Sequence, residues 1–198
     1  MSETSPKSTV TVPDIAVPSD LKVEWIEHGI MKISGLLHWG DYLIEASKVA
    51  PRWYPKSQNA VHPGPEEILV DKSFDESLAA AEGGLVDVVG KALSLYQREI
   101  PFAQVSEDSG YHLLRYKEGE AYDVHCDMLN ANSPLKLMTM LMYPNDDYEG
   151  GEVYFPRQGI EFKPTAGDVY VCPSGFSYPR GTRPVKSGTR YCVVTWLK

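Results

Sequence analysis

The stretch Tyr116-Lys117-Glu118-Gly119-Glu120-Ala121-Tyr122-Asp123-Val124-His125-Cys126-Asp127 decides how the rest of the chain is read. Lys117-Glu118-Gly119 is a turn signal between two runs of strand-forming residues. Residues two apart in a strand point to the same side, so His125 and Asp127 aim an imidazole nitrogen and a carboxylate oxygen at one point. That is two thirds of the two-histidine, one-carboxylate face used for non-haem iron(II). Alone the pair says little, because His-x-Asp recurs by chance. A surface histidine beside a turn aspartate is the plainer explanation.

Working outward, the same punctuation continues to the C-terminus. Short strands are expected at 111–117, 121–126, 135–143, 152–155, 160–163, 168–172, 183–185 and 189–197. Turn signals such as Pro144-Asn145-Asp146-Asp147, Gly150-Gly151, Ala166-Gly167 and Ser187-Gly188 lie between them. Many short strands with regular turns imply a sandwich or jelly roll. Upstream the period changes. Leu85, Val88, Val89, Ala92, Leu93 and Tyr96 follow helical spacing and predict a helix over 85–98. A separate helix over 73–82 is expected to stop at Gly83-Gly84. A third is expected over 40–50, with Asp41 as N-cap and Leu43, Ile44 and Val49 facing inward. One or two strands are expected over 21–33. Pro51, Pro55, Pro63 and Pro65 make 51–65 a loop. Residues 1–20, rich in Ser, Thr and Pro, read as a flexible lead-in, with Val10, Val12, Ile15 and Val17 as the makings of an edge strand. Helices come first and strands after, so the class is α+β, with residues 21–198 as one domain.

The net charge of −8 argues against a nucleic-acid partner, since binding phosphates needs a surplus of Lys and Arg. No apolar run approaches a membrane span. The N-terminus lacks the charged-then-apolar order of a signal peptide. Cys126, Cys172 and Cys192 are odd in number and widely spaced, which fits a reducing compartment. A cytoplasmic or otherwise intracellular protein is expected, with a virion-associated setting as the other option.

The ordered motifs resemble a known family. Tyr116-x-x-Gly119-x-x-Tyr122-x-x-His125-x-Asp127 looks like the signature of the prolyl 4-hydroxylase branch of the iron(II)/2-oxoglutarate dioxygenases. Lys136-x-x-Thr139-x-x-x-Tyr143 follows, where the family usually has Arg first. Tyr148-Glu149-Gly150-Gly151-Glu152-Val153-Tyr154-Phe155-Pro156 resembles its acidic Gly-Gly strand. Pro164-x-Ala166-Gly167-Asp168, Pro173-Ser174 and Pro184-Val185-x-x-Gly188-Thr189-Arg190-Tyr191 complete the order. The resemblance covers 111–198 and implies a double-stranded β-helix core with N-terminal supporting helices. It implies iron(II) on His125 and Asp127, and 2-oxoglutarate held by Arg190 and Tyr116 with Thr139 and Trp196 lining its pocket. An arginine suits that task, because its planar fork grips a carboxylate with two parallel bonds. Arg190 and Trp196 also share strand parity. A substrate, peptidyl or small-molecule, would enter at the barrel mouth, shaped by 51–65 and 128–134 with Trp53 and Tyr54 as candidate walls.

One position departs. Where the family has its second histidine, this chain reads Tyr178-Pro179-Arg180, and no histidine lies beyond His125. A guanidinium is always charged and has no acceptor. Arg180 would repel a dication and is placed to pair with Asp127. Two expectations follow: a dioxygenase if the metal site is competent, or a catalytically inactive jelly-roll binding or assembly module, such as a phage or bacterial particle component.

Overall fold

A computed structural model describes residues 16, 18–50, 52–56, 62–128 and 135–198. The expected N-terminal edge strand and most of the expected mouth loop 128–134 lie outside these. In chain order the elements are β1 (Lys22–Glu27), β2 (Ile30–Ser34), α1 (Gly40–Ser47), β3 (Tyr54–Pro55), β4 (Glu66–Val70) and α2 (Glu76–Glu99). After them come β5 (Tyr111–Tyr116), β6 (Tyr122–His125), β7 (Met138–Met142), β8 (Glu149–Gly150), β9 (Val153–Phe155), β10 (Ile160–Phe162), β11 (Val169–Pro173), β12 (Arg180–Thr182), β13 (Val185–Ser187) and β14 (Arg190–Leu197).

The major sheet runs β1-β2-β11-β7-β14-β5-β4-β3, the minor sheet β10-β9-β12-β6, and β13 pairs with β8. Every described pairing is antiparallel. This is the α+β double-stranded β-helix.

Strand β14 shows how the layers are specified. Val193 and Leu197 face the helices, where they join Met140, Val171, Leu85 and Val88 in one buried cluster. Cys192, Val194 and Trp196, of the other parity, face the barrel interior with Tyr116, Leu141, Tyr143 and Phe155. Both faces are covered, so the strand is apolar almost throughout. Burying side chains of this size stabilises the fold by roughly 1.5–3 kcal/mol each.

The helical layer differs from the sequence expectation in one respect. The two helices expected over 73–82 and 85–98 are a single helix, α2, which runs through Gly83 and Gly84 without interruption. A glycine stop needs a left-handed residue, and neither glycine has positive φ. Asp75 caps the helix by accepting from the Ser77 N–H at 2.8 Å. Leu78, Ala81, Leu85, Val88 and Ala92 then form one buried stripe across the glycines, and that packing outweighs their propensity cost. In α1 the N-cap is Trp39 rather than Asp41, which sits in the first turn. Leu43 points inward as expected, but Val49 lies beyond the helix and is exposed; Tyr42 and Ala46 fill the inner face instead. The prolines of 51–65 do not exclude a strand: β3 pairs with β4, itself unexpected. The expected strand 183–185 is displaced, with β12 and β13 on either side of Arg183-Pro184. No helix among the described residues is long and apolar enough to cross a membrane.

Gly83 is an exposed helix-interior glycine at which a Cβ would meet nothing within 4 Å. Gly83→Ala is therefore expected to stabilise the protein by about 1 kcal/mol. A thermal unfolding midpoint unchanged or lowered by the substitution would contradict the continuous helix.

Candidate functional site

The sheet registers bring the sequence-selected residues into the space between the sheets. On the minor sheet Arg180 of β12 stands opposite His125 of β6. On the major sheet Arg190 of β14 stands opposite Tyr116 of β5, and Trp196 of β14 opposite Thr139 of β7. One cavity is lined by Tyr116, His125, Asp127, Tyr143, Arg180, Arg190 and Trp196, with Lys56 among its other walls.

Its two ends differ in charge chemistry. At the first, His125 Nε2 is 3.4 Å from Asp127 Oδ1. His125 Nδ1 is 2.8 Å from the Asp123 carbonyl, which can only accept, so Nδ1 carries a proton and Nε2 faces the cavity. Asp127 Oδ2 accepts from Arg180 Nε at 3.1 Å and Nη2 at 2.7 Å, and from the Thr139 hydroxyl at 2.8 Å. Thr139 spends its only proton there, so the Ser174 hydroxyl, 2.7 Å away, donates to Thr139. Both ionised side chains are deeply buried, with 9% and 7% exposure for Arg180 and Asp127. Burial opposes ionisation of Asp127, but the adjacent Arg180 charge, with help from His125 and Thr139, holds its carboxyl well below the usual carboxylate range. Burial likewise works against the Arg180 charge, and Asp127 more than compensates.

At the second end Arg190 is 1% exposed, and its Nε and Nη1 have no hydrogen-bond partner among the described residues. Its guanidinium carbon lies 4.6 Å from the Tyr116 ring centre and 5.1 Å from that of Tyr143. Two aromatic faces offset part of its desolvation, but they leave Nε–H and Nη1–H without acceptors among the described residues. The Tyr143 hydroxyl is also buried, with no hydrogen-bond partner in place among the described residues. Burial pushes the Tyr116 and Tyr143 hydroxyls above their ordinary value, so both remain protonated. Gly151, of the Gly-Gly turn, leaves room for the Arg190 stem: a Cβ there would stand 2.7 Å from Arg190 Cδ, and its φ is +67°.

A family model described as the 2OG-Fe(II) oxygenase superfamily matches residues 111–198. The chain belongs to that superfamily. It resembles the prolyl hydroxylases among its relatives. It is 33% identical over 163 residues to prolyl 4-hydroxylase 1 of Arabidopsis thaliana, covering 67% of this chain and 58% of that protein. The viral collagen prolyl hydroxylase of Paramecium Bursaria Chlorella virus-1, solved in complex with 2OG, superposes with a TM-score of 0.64 at 21% identity, over 85% of this chain and 95% of that one. The Trichoplax adhaerens prolyl hydroxylase, solved with a hypoxia inducible factor peptide fragment, does so at 0.69 and 17% identity, over 85% and 83%. The chain spans about half the length of the curated relatives it matches.

The superfamily's groups are iron(II) and 2-oxoglutarate, and the two ends of the cavity fit them unequally. The orphaned Arg190 donors and Tyr143 hydroxyl fit a carboxylate. Iron is not fitted by the residues present. Among the described residues no group of three or more His, Cys, Asp and Glu side chains could hold a metal ion. His125 and Asp127 converge, but Asp127 Oδ2 already accepts three bonds. A guanidinium about 4 Å from a dication is repelled by roughly 8 kcal/mol at an effective dielectric of 20.

The other selected residues fall into place unevenly. Thr139 reaches Asp127 and is not among the residues lining the cavity. Trp196 does line it, with Lys136 Nζ 3.4 Å from its ring centre. Trp53 packs against the Arg115 guanidinium at 4.1 Å, and Tyr54 borders a separate pocket with His112, so neither walls this cavity. Tyr143 and Ser174 received no role from the sequence, although each stands in a quoted motif; the unpartnered hydroxyl and the relay to Asp127 appear only in three dimensions.

Removing Arg180 strands a buried carboxylate. Arg180→Met is expected to destabilise the protein by about 3–5 kcal/mol near neutral pH. Because the Asp127 pKa is lowered by folding, its contribution is present above the unfolded carboxyl value of about 4 and is lost as pH falls through the folded value. The gap between wild type and variant should therefore be smaller at pH 3 than at pH 7 in urea denaturation, the Asp127 contribution being lost below about pH 4.

Proposed function

We propose that this chain is a 2-oxoglutarate-using oxygenase domain of the prolyl 4-hydroxylase type, directed at a peptidyl or small-molecule substrate that enters the barrel mouth. Arg190 grips the distal carboxylate of 2-oxoglutarate, Tyr116 and Tyr143 add hydroxyl donors beside it, and Trp196 walls the pocket. His125 and Asp127 stand at the metal end. The observation that carries this reading is the buried Arg190 guanidinium with Nε and Nη1 unpartnered, in the same cavity as His125 and Asp127. A buried cation without an acceptor is costly unless a ligand supplies one. A peptidyl substrate is supported by the peptide in the Trichoplax structure.

A second reading is favoured by one specific observation, the Arg180–Asp127 ion pair. It makes the domain a non-catalytic jelly-roll module that binds 2-oxoglutarate and a partner protein without hydroxylating it. The two readings part at turnover. Anaerobic loading with iron(II) and 2-oxoglutarate, followed by air, should release succinate above a metal-free control on the first reading. Absence of succinate from wild type, with its appearance in Arg180→His, establishes the second.

Two expectations are common to both. Arg180→His supplies a lone pair and removes a repelling charge, so iron(II) affinity should rise by at least about tenfold. Arg190→Met should abolish 2-oxoglutarate binding measured by calorimetry while the circular dichroism spectrum is retained. Undiminished binding in Arg190→Met would sink the assignment of the anion site.

A further inference from the structure

In a site that chelates its co-substrate on a metal, one end of the dicarboxylate depends on the dication and the other on an arginine. Here the first end carries a second arginine. Arg180 and Arg190 enter from different sheets, β12 and β14, and line the same cavity. The bonds to Asp127 use Arg180 Nε–H and one Nη2–H of a five-donor fork. Asp127 neutralises one positive charge, so the pair of arginines still leaves the cavity net positive. Lys56 and Lys136, both within 5.3 Å of the Trp196 ring centre, add to that sign, although Lys56 is itself paired with Glu67.

We infer that Arg180 takes the metal's place in ligand binding, making the cavity a metal-independent receptor for a dicarboxylate. This rests on the second reading above, the non-catalytic module, with Arg190 taking the distal carboxylate. Arg180 then meets the near carboxylate with the N–H groups not used on Asp127. Two consequences distinguish such a site from a chelating one. No divalent ion is needed for binding. The 2-oxo group also loses its special value, since no metal is there to be chelated by it, so glutarate becomes a ligand comparable to 2-oxoglutarate.

The test is calorimetric titration of the full chain with 2-oxoglutarate and with glutarate, each with EDTA and, separately, with Mn(II). The wild type is expected to bind 2-oxoglutarate with affinities that differ by less than about threefold between EDTA and Mn(II), and to bind glutarate within about fivefold of 2-oxoglutarate. Arg180→His is expected to bind weakly in EDTA, with Mn(II) restoring 2-oxoglutarate at least tenfold and leaving glutarate weak. Binding by wild type that requires Mn(II), or that rejects glutarate in EDTA, overturns the inference while leaving the anion site intact. No binding of either acid under any condition, by wild type or Arg180→His, removes the anion site itself and the proposed function with it. The wild-type arms need no variant, so a folding failure in Arg180→His leaves the test decisive.

Discussion

A carboxylate enclosed between two sheets must be matched by positive charge, and Asp127 is matched by Arg180. The pair is nearly dry, so the interaction is strong, but so is the cost of desolvating both ions. What tips the balance is the number of bonds: two N–H donors from one fork and a hydroxyl donor from Thr139, itself held by Ser174. These partners come from β12, β7 and the segment after β11. One polar cluster therefore ties the minor sheet to the major one at the end of the barrel where apolar packing gives way to the cavity.

Arg190 is the counterpart without a match. It is more deeply buried than Arg180, yet no carboxylate among the described residues pairs with it. Aromatic rings cover its faces and leave Nε–H and Nη1–H without partners among the described residues. A fold tolerates such a group when a ligand completes it, and the two arginines differ in how much of their donor capacity the described residues already use. The chain as a whole is acidic, so this local positive charge is a property of the strand registers and not of composition.

Much of this was legible in the sequence because it rests on strand parity. Arg190 and Trp196 share a face of β14, and His125-x-Asp127 converges, as the period of two requires. The helix boundary at Gly83-Gly84 was not legible, because glycine is a weak stop when an apolar stripe continues across it. Strand β4 was hidden by the prolines before it and by its own acidic start, Glu66-Glu67, which gains its partners Arg115 and Lys56 only from β5 and from the segment after β3. Thr139 was assigned to the co-substrate pocket from its place in a motif, while its hydroxyl serves Asp127. Motif order locates a residue on a strand; it does not say which way a short hydroxyl turns.

The Arg180 position shows why fold and chemistry separate in this chain. Arg180 joins the β12 ladder through its backbone, opposite His125 on one neighbour, with Gly181 and Thr182 pairing to β9 on the other. Those bonds are indifferent to the side chain, so the sheet accommodates an arginine at this position without disturbance. The side chain alone sets the character of this end of the cavity, as a cation that pairs with Asp127. The motifs that specify the barrel are therefore compatible with a site whose electrostatics are set by one side chain, and fold alone does not fix the chemistry there.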